Sequence, residues 1–260
     1  MAKERIKYFE SFDEDFFQSG QVHKLKEDYK WIRKDFGSRF LSAFIYANAV
    51  IFGTLYCRFF LHTKIKGAKA VRSVKGKGFF LYGNHTQPVG DVFLPALACF
   101  PKRIYTIVSP ANLELPVIGK ILPFLGALPI PDTMSKLKEF NSAVELRINE
   151  GHPVIIYPEA HLWEYYCGIR PFSDTSFKYP LKYDCPSFCM TTTYQKRRFS
   201  KRPKTTLYID GPFYPAGDTQ KQKAASLHYQ IRETMEKRSK ESNCEFIEYR
   251  PKSPSKTIEN

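Results

Sequence analysis

"FFLYGNHTQPVGDVFLPAL", residues 79–97, decides how this chain is read. Phe79, Phe80, Leu81 and Tyr82 have the length and composition of a buried strand, and Gly83 marks its end. His85 follows, and six positions later comes Asp91, at the N-cap position of a short helix expected over "VFLPALACF" (92–100). On a regular helix six residues turn by ~600°, about 120° short of two full turns, so the two side chains would not face each other. Pro88 and Gly90 interrupt that geometry, and a non-helical turn can bring the carboxylate back beneath the imidazole. Histidine titrates near neutral pH, and a carboxylate on its second ring nitrogen fixes the tautomer and stabilises the imidazolium. The residues alone leave two readings open: a general base with its orienting acid, or a strand exit followed by a capping Asp.

Working outward, "RIYTIVS" (103–109), "ALPIP" (127–131) and "PVIIYPEA" (153–160) read as further strands, the last of them central. "LPVIGKILPFLG" (115–126) reads as a short apolar helix between them. Met134, Leu137, Phe140, Val144 and Ile148 form a helical stripe over 133–150 that Gly151 closes. Asp174 is placed to cap a helix through Phe177 and Leu181, and "SFCMTTTY" (187–194) and "TTLYID" (205–210) are strands. A last helix from Asp218 to about Arg238 carries Ala224, Leu227, Ile231 and Met235 on one face. Strands alternating with helices imply an α/β fold, a mostly parallel central sheet flanked by helices with right-handed crossovers.

The chain has 260 residues, 43% of them hydrophobic, which suits one large core rather than two small ones. We divide it into an N-terminal helical membrane-associating segment (1–62), a catalytic-size domain (63–240) and a polar tail (241–260), in which "RPKSPSKTIEN" is expected to be disordered. The net charge of +14 favours anionic partners. Nucleic acid is set aside, because no zinc finger, RNP motif or helix-turn-helix accompanies the charge. The basic stretch "KRRFSKRPK" (196–204) lies between two strands and reads as a solvated hairpin loop or as a loop that touches acidic headgroups. The start "MAKERIKYFESFDED" has no apolar signal core, so the six cysteines are expected in a reducing compartment. Cys185 and Cys189 lack a second Cys/His pair at zinc spacing and read as packed thiols; no metal is assigned.

"FLSAFIYANAVIFGTLYC" (40–57) is uncharged for 18 residues, just short of the ~20 that a spanning helix needs. Arg33, Lys34 and Arg39 precede it and Arg58, Lys64, Lys66 and Lys69 follow, so both ends prefer the cytoplasmic side. A helix dipping into one leaflet satisfies this, with Ser42, Tyr46, Asn48 and Gly53 on its less apolar side. A single spanning anchor and a buried core helix are the competing readings. The preceding "KLKEDYKWIRKDF" (24–36) sets Tyr29, Trp31, Ile32 and Phe36 among cations, a composition for the headgroup zone.

Several of these stretches together resemble the glycerolipid acyltransferase family, exemplified by 1-acylglycerol-3-phosphate acyltransferase. "NHTQPVGD" supplies Asn84, His85 and Asp91, with one residue more between His and Asp than the family's N-H-x4-D. "KIKGAKAV" precedes the strand, and "YPEA" (157–160) stands where the family has F-P-E-G-T-R. "RPFSDTSFKYPLKYDCPSF" (170–188) and "LYIDGPFYP" (207–215) follow in the family's order, so the resemblance covers residues 60 to 238. It implies that His85 deprotonates an acceptor hydroxyl, which attacks the thioester of acyl-CoA or acyl-carrier protein, with Asp91 in support and no covalent acyl-enzyme. It also implies that Asn84 belongs to the site and that Glu159 helps to shape the acceptor pocket. The family's phosphate-reading arginines are missing from "GALPIP" (126–131) and "EAHLW" (159–163); His161, Arg170 and Lys178 are the nearby candidates to replace them.

The expected function is therefore a lysophospholipid O-acyltransferase at the cytoplasmic face of a membrane, acting on 1-acylglycerol-3-phosphate, with an acyl thioester as co-substrate and no further cofactor. The alternative is a non-catalytic membrane-surface protein that keeps the fold. A hydrolase would need an activated nucleophile, and no G-x-S-x-G elbow is present.

Overall fold

The computed structural model describes residues 6–16, 24–116 and 118–252. In chain order the elements are β1 (Ile6–Phe9), α1 (Phe36–Phe59), β2 (Lys64–Lys66), α2 (Ala68–Arg72), β3 (Phe80–Gly83) and α3 (Gly90–Cys99). There follow β4 (Tyr105–Val108), α4 (Ile118–Leu125), β5 (Ala127–Pro129), α5 (Met134–Asn149), β6 (Val154–Ile156) and α6 (Lys178–Tyr183). The chain continues through β7 (Ser187–Arg197), β8 (Ser200–Phe213), α7 (Gln220–Ser239) and β9 (Glu248–Pro251).

Seven strands form one sheet in the order β2-β8-β7-β3-β6-β4-β5. Five of them, β7, β3, β6, β4 and β5, run the same way, and the antiparallel β7/β8 pairing turns β8 and its parallel neighbour β2 the other way. The sheet is mostly parallel and covered by helices on both faces, as expected. Alternate residues of the apolar run serve the two faces: Phe80 and Tyr82 join the core beneath α5, α6 and α7, whereas Phe79 and Leu81 join the core beneath α1, α2 and α3. A strand buried on both sides must be apolar at every position, hence a continuous run rather than an alternation.

The helical stripes fall into these cores. Phe140, Val144 and Ile148 of α5, and Ala224, Leu227, Ile231 and Met235 of α7, are all fully buried. Met134, the first residue of the α5 stripe, is exposed in the opening turn. Truncating any of the larger buried side chains to Ala would cost about 2–5 kcal/mol.

Helix α1 is longer than its uncharged stretch and, at ~1.5 Å per residue, extends for ~36 Å. It is not a core helix. Phe36, Phe40, Phe44, Ile51, Phe52, Leu55 and Phe59 are exposed, and its most apolar window, of mean hydropathy 1.6, is 11% buried. The helix is docked along its other side to α3 and α4. Ser42 Oγ donates to Phe124 O at 2.8 Å, Ile104 N donates to Tyr46 Oη at 3.1 Å, and Gly53 faces Phe93, whose Cδ1 lies 2.5 Å from where a Cβ would be. Three of the four less apolar residues thus bind the domain. Asn48 instead is exposed and donates to Phe44 O within the helix. By length and composition α1 is a candidate membrane-associating segment.

Four expectations are corrected. Trp31 lies in the core, not in a headgroup zone: it is buried, donates from Nε1 to Pro129 O at 2.9 Å and packs against Phe140. The basic stretch 196–204 is not a loop, since β7 extends through Arg197 and β8 begins at Ser200, leaving Arg198 and Phe199 as the turn. The expected helix after Asp174 is a 3-10 turn, Thr175–Phe177, leading into α6, and the Asp174 side chain makes no capping bond. The termini are not simply a helical attachment and a polar tail, because β1 and β9 pair in parallel, Ile6 opposite Glu248, and Ile247 is buried. The remainder of the expected disordered tail, 253–260, lies outside the described residues.

Candidate active site

The site lies where β3 and β6 end, side by side, at the carboxyl edge of the sheet. Gly83 closes β3 under Met190 and Tyr157: a Cβ would stand 2.5 Å from Met190 Cε and 2.9 Å from Tyr157 Cε1. The next side chain, Asn84, is buried and spans to β7, accepting from Thr192 N at 2.8 Å and donating to Thr192 O at 3.0 Å. It therefore anchors the strand exit instead of facing open space. The loop after it is held on two more sides. Trp163 N donates to His85 O at 3.1 Å, while Tyr165 N and Tyr194 Oη donate to Thr86 O at 2.8 and 3.1 Å.

Between His85 and Asp91 the chain turns at Pro88–Val89. His85 Nδ1 and Asp91 Oδ2 lie 2.8 Å apart, and the same carboxylate oxygen accepts Gln87 N at 2.9 Å. Asp91 is not an N-cap: the cap is Val89, and Asp91 sits in the first turn of α3. Burial pushes its carboxyl above the usual range, opposed by the hydrogen bond from His85. The His85 ring lies on the ring of Tyr157, with centroids 4.6 Å apart, and Tyr157 Oη donates to Asp91 O at 2.6 Å. The His85 side chain is 24% exposed, and Nε2 makes no hydrogen bond to another described residue.

Glu159 supports the loop from behind. Its Oε2 accepts His85 N at 3.2 Å and pairs with Arg170 Nη2 at 3.2 Å, and its Oε1 accepts Arg170 N at 3.0 Å. Burial raises the Glu159 carboxyl, with the Arg170 charge acting against it.

No protein-family model and no curated protein matches the chain. A solved structure does. It is the crystal structure of the 1-acyl-sn-glycerophosphate (LPA) acyltransferase, PlsC, from Thermotoga maritima, similar with a TM-score of 0.56 over 82% of this chain and 85% of that chain, at 15% identity. This chain shares the fold of that acyltransferase.

Of the three candidate phosphate readers, Arg170 and His161 are in contact and Lys178 stands apart. Arg170 is 1% exposed and committed: besides Glu159 it donates to Phe12 O at 3.2 Å and to His161 O, and its guanidinium lies 5.0 Å from the ring centroid of Trp163. His161 Nδ1 lies 3.1 Å from Asp15 Oδ2. Lys178 is exposed at the start of α6 and makes no bond to His85, Asp91, Glu159 or Arg170. The Glu159 carboxylate compensates the charge of the buried Arg170 guanidinium, and Nη1 and Nη2 are taken by Phe12 O, Glu159 and His161 O while Nε has no hydrogen-bond partner among the described residues, so Arg170 organises the site wall.

Trp163, Tyr157 and Tyr194 escaped the sequence reading as site residues. Trp163 is fully buried against Phe9, Phe12, Phe16, Tyr166 and Tyr249, and so ties both chain ends to the loop that carries His85. For Tyr157 the signal was available: it directly follows the strand beside β3. Among the described residues, no three His, Cys, Asp or Glu side chains converge as metal ligands.

Proposed function

We propose that the protein is a membrane-associated lysophospholipid O-acyltransferase with His85 as general base. The observation that carries this reading is the 2.8 Å contact of His85 Nδ1 with buried Asp91, which leaves Nε2 of the partly exposed ring without a hydrogen-bond partner among the described residues. Nε2 accepts the proton of the acceptor hydroxyl as its oxygen attacks the thioester carbonyl of acyl-CoA or acyl-carrier protein. Asp91 holds the tautomer and stabilises the imidazolium. Collapse of the tetrahedral intermediate expels the thiol, which takes the proton from His85, and the ester leaves as product; the acyl group is never bonded to the protein.

The acceptor is an amphiphile. Phe59, Phe60 and Phe199 are exposed at the carboxyl edge of the sheet, where α1 ends and the β7/β8 hairpin turns, and they provide an apolar rim from which a lipid can enter. The first acceptor to test is 1-acylglycerol-3-phosphate, with phosphatidic acid as product. The cations at both ends of α1 support localisation at the cytoplasmic face.

Purified protein in mixed micelles, given a long-chain acyl-CoA, should release thiol only when lysophosphatidic acid is present, and His85→Ala should lose this activity by a factor on the order of 10³ or more. Thiol release without an acceptor would identify a hydrolase. Absence of release with acyl-CoA or acyl-carrier protein and a panel of lysolipids would favour a non-catalytic membrane-surface protein, for which the commitment of Arg170 to Glu159 is the supporting observation.

A further inference from the structure

A cleft of about 650 Å³ opens at the amino edge of the sheet, beside the first turns of α1. Tyr105 and Ala127, which begin β4 and β5, line it, whereas His85 follows the last residue of β3; since these strands run the same way, cleft and dyad lie at opposite ends of the sheet. Arg33, Lys34, Arg39, Arg103 and Arg147 converge on the cleft, with Glu150 as the one acid among its described lining residues. Three cations come from the entry to α1, one from the entry to β4 and one from the end of α5, so the cluster is a product of tertiary folding.

Two features separate it from an ordinary solvated basic face. The guanidiniums are held in place: Arg103 donates from Nη2 to Ser42 Oγ at 2.7 Å and Phe124 O at 2.6 Å, Arg147 pairs with Glu150 at 2.8 Å, and Arg33 lies 4.8 Å from the ring centroid of Phe124. In addition, Nε of Arg103 and Nε of Arg147 are buried with no hydrogen-bond partner among the described residues. Buried donors without partners and an excess of fixed cations in one concavity call for an oxygen-rich anion.

Phe36, Phe40 and Phe44 stand exposed on the same stretch of α1. If that face meets acyl chains, the cleft beside it is level with the phosphates. We infer that the cleft binds the phosphate of an acidic phospholipid headgroup, as a second lipid site separate from the acyl-transfer centre. It shares with the proposed function only the reading that α1 meets a bilayer. The consequence is orientational: phosphate held at the start of α1 and an apolar rim at its end would lay the helix in the plane of one leaflet, with the dyad facing the surface that supplies the acceptor.

The test is binding of the full chain to phosphatidylcholine vesicles with and without phosphatidylglycerol, which is neither substrate nor product of 1-acylglycerol-3-phosphate acylation. Lys34→Gln/Arg39→Gln/Arg147→Gln should weaken binding to the acidic vesicles by about 100-fold, taking each basic residue near a membrane surface as worth about 1 kcal/mol. Lys221→Gln/Lys237→Gln/Lys240→Gln, on and just beyond α7 across the sheet, should change it far less. Equal loss in both triples would overturn the site in favour of diffuse charge. Thermal melts in lipid-free detergent separate the sources of phosphate: stabilisation by millimolar inorganic phosphate that disappears in the cleft triple would assign a soluble anion and overturn the lipid. Melting within a few degrees of wild type confirms that both triples fold. His85→Ala should bind acidic vesicles as wild type does, so failure of acyl transfer and failure of the cleft are read independently.

Discussion

Asp91 Oδ2 meets His85 Nδ1 at 2.8 Å from inside the protein, buried at the start of α3, while the imidazole stays partly open to solvent. Burial holds the Asp91 carboxyl above its ordinary value near 3.8, so the folded chain binds that proton more tightly than the unfolded chain. Its contribution to stability is therefore full at pH below the unfolded value and is lost as pH rises through the folded one. At pH above the folded value the ionised, buried group costs the fold stability relative to a neutral isostere. Asp91→Asn should then melt above wild type at pH 7, with the gap narrowing as pH falls into the carboxylate range, while acyl transfer drops by a factor on the order of 10³–10⁴. A variant that melts lower at pH 7 would show that the charge is a net stabiliser.

Glu159 and Arg170 should behave as a coupled pair. Arg170→Met strands a buried carboxylate and should cost about 3–5 kcal/mol in urea unfolding. Adding Glu159→Gln should recover a substantial part of that loss. Additive losses in the double variant would contradict the coupling drawn from the 3.2 Å contact.

Tyr157 acts through its neighbours as a positioning residue. Tyr157→Phe keeps the ring against His85 and loses one hydrogen bond to Asp91 O, which corresponds to a fall in kcat of about 2- to 12-fold with KM unchanged. Tyr157→Ala removes both contacts and should fall much further. Equal effects of the two would assign the whole role to the hydroxyl.

Phe199, 89% exposed at the tip of the β7/β8 hairpin between Arg198 and Ser200, should insert into lipid. Phe199→Ser should leave the melting temperature unchanged and weaken vesicle binding by roughly 10- to 100-fold, the range that corresponds to one buried Phe side chain. Unchanged partitioning would remove the hairpin from the membrane contact.

Much of the fold could be read because its signals are local. The stripe Ala224, Leu227, Ile231 and Met235 describes one face of α7 because a helix repeats every 3.6 residues, and all four are buried. The run at 79–82 announces a doubly covered strand for the same kind of reason. His85 and Asp91 could be nominated together because their partnership spans six residues and one turn. Even here the local rule misassigned the Asp: a capping carboxylate and a His-orienting one occupy the same place in sequence, and the oxygen went to the imidazole.

By itself the sequence determined the succession of strands and helices from β3 to α7 in outline, the faces that enter the core, the apolar helix and the nomination of His85 with Asp91. The tertiary structure alone decided that Asn84 clamps Thr192, 108 positions away, that Arg170 is consumed by Glu159, that Trp31 is a core residue and that β1 pairs with β9. It also gathered cations from three separate segments into one cleft. The physical reason is range. Periodicity, turn chemistry and capping act over a few residues and are written in their order, whereas the partner of a buried polar group depends on which strands become neighbours, a property of the assembled sheet.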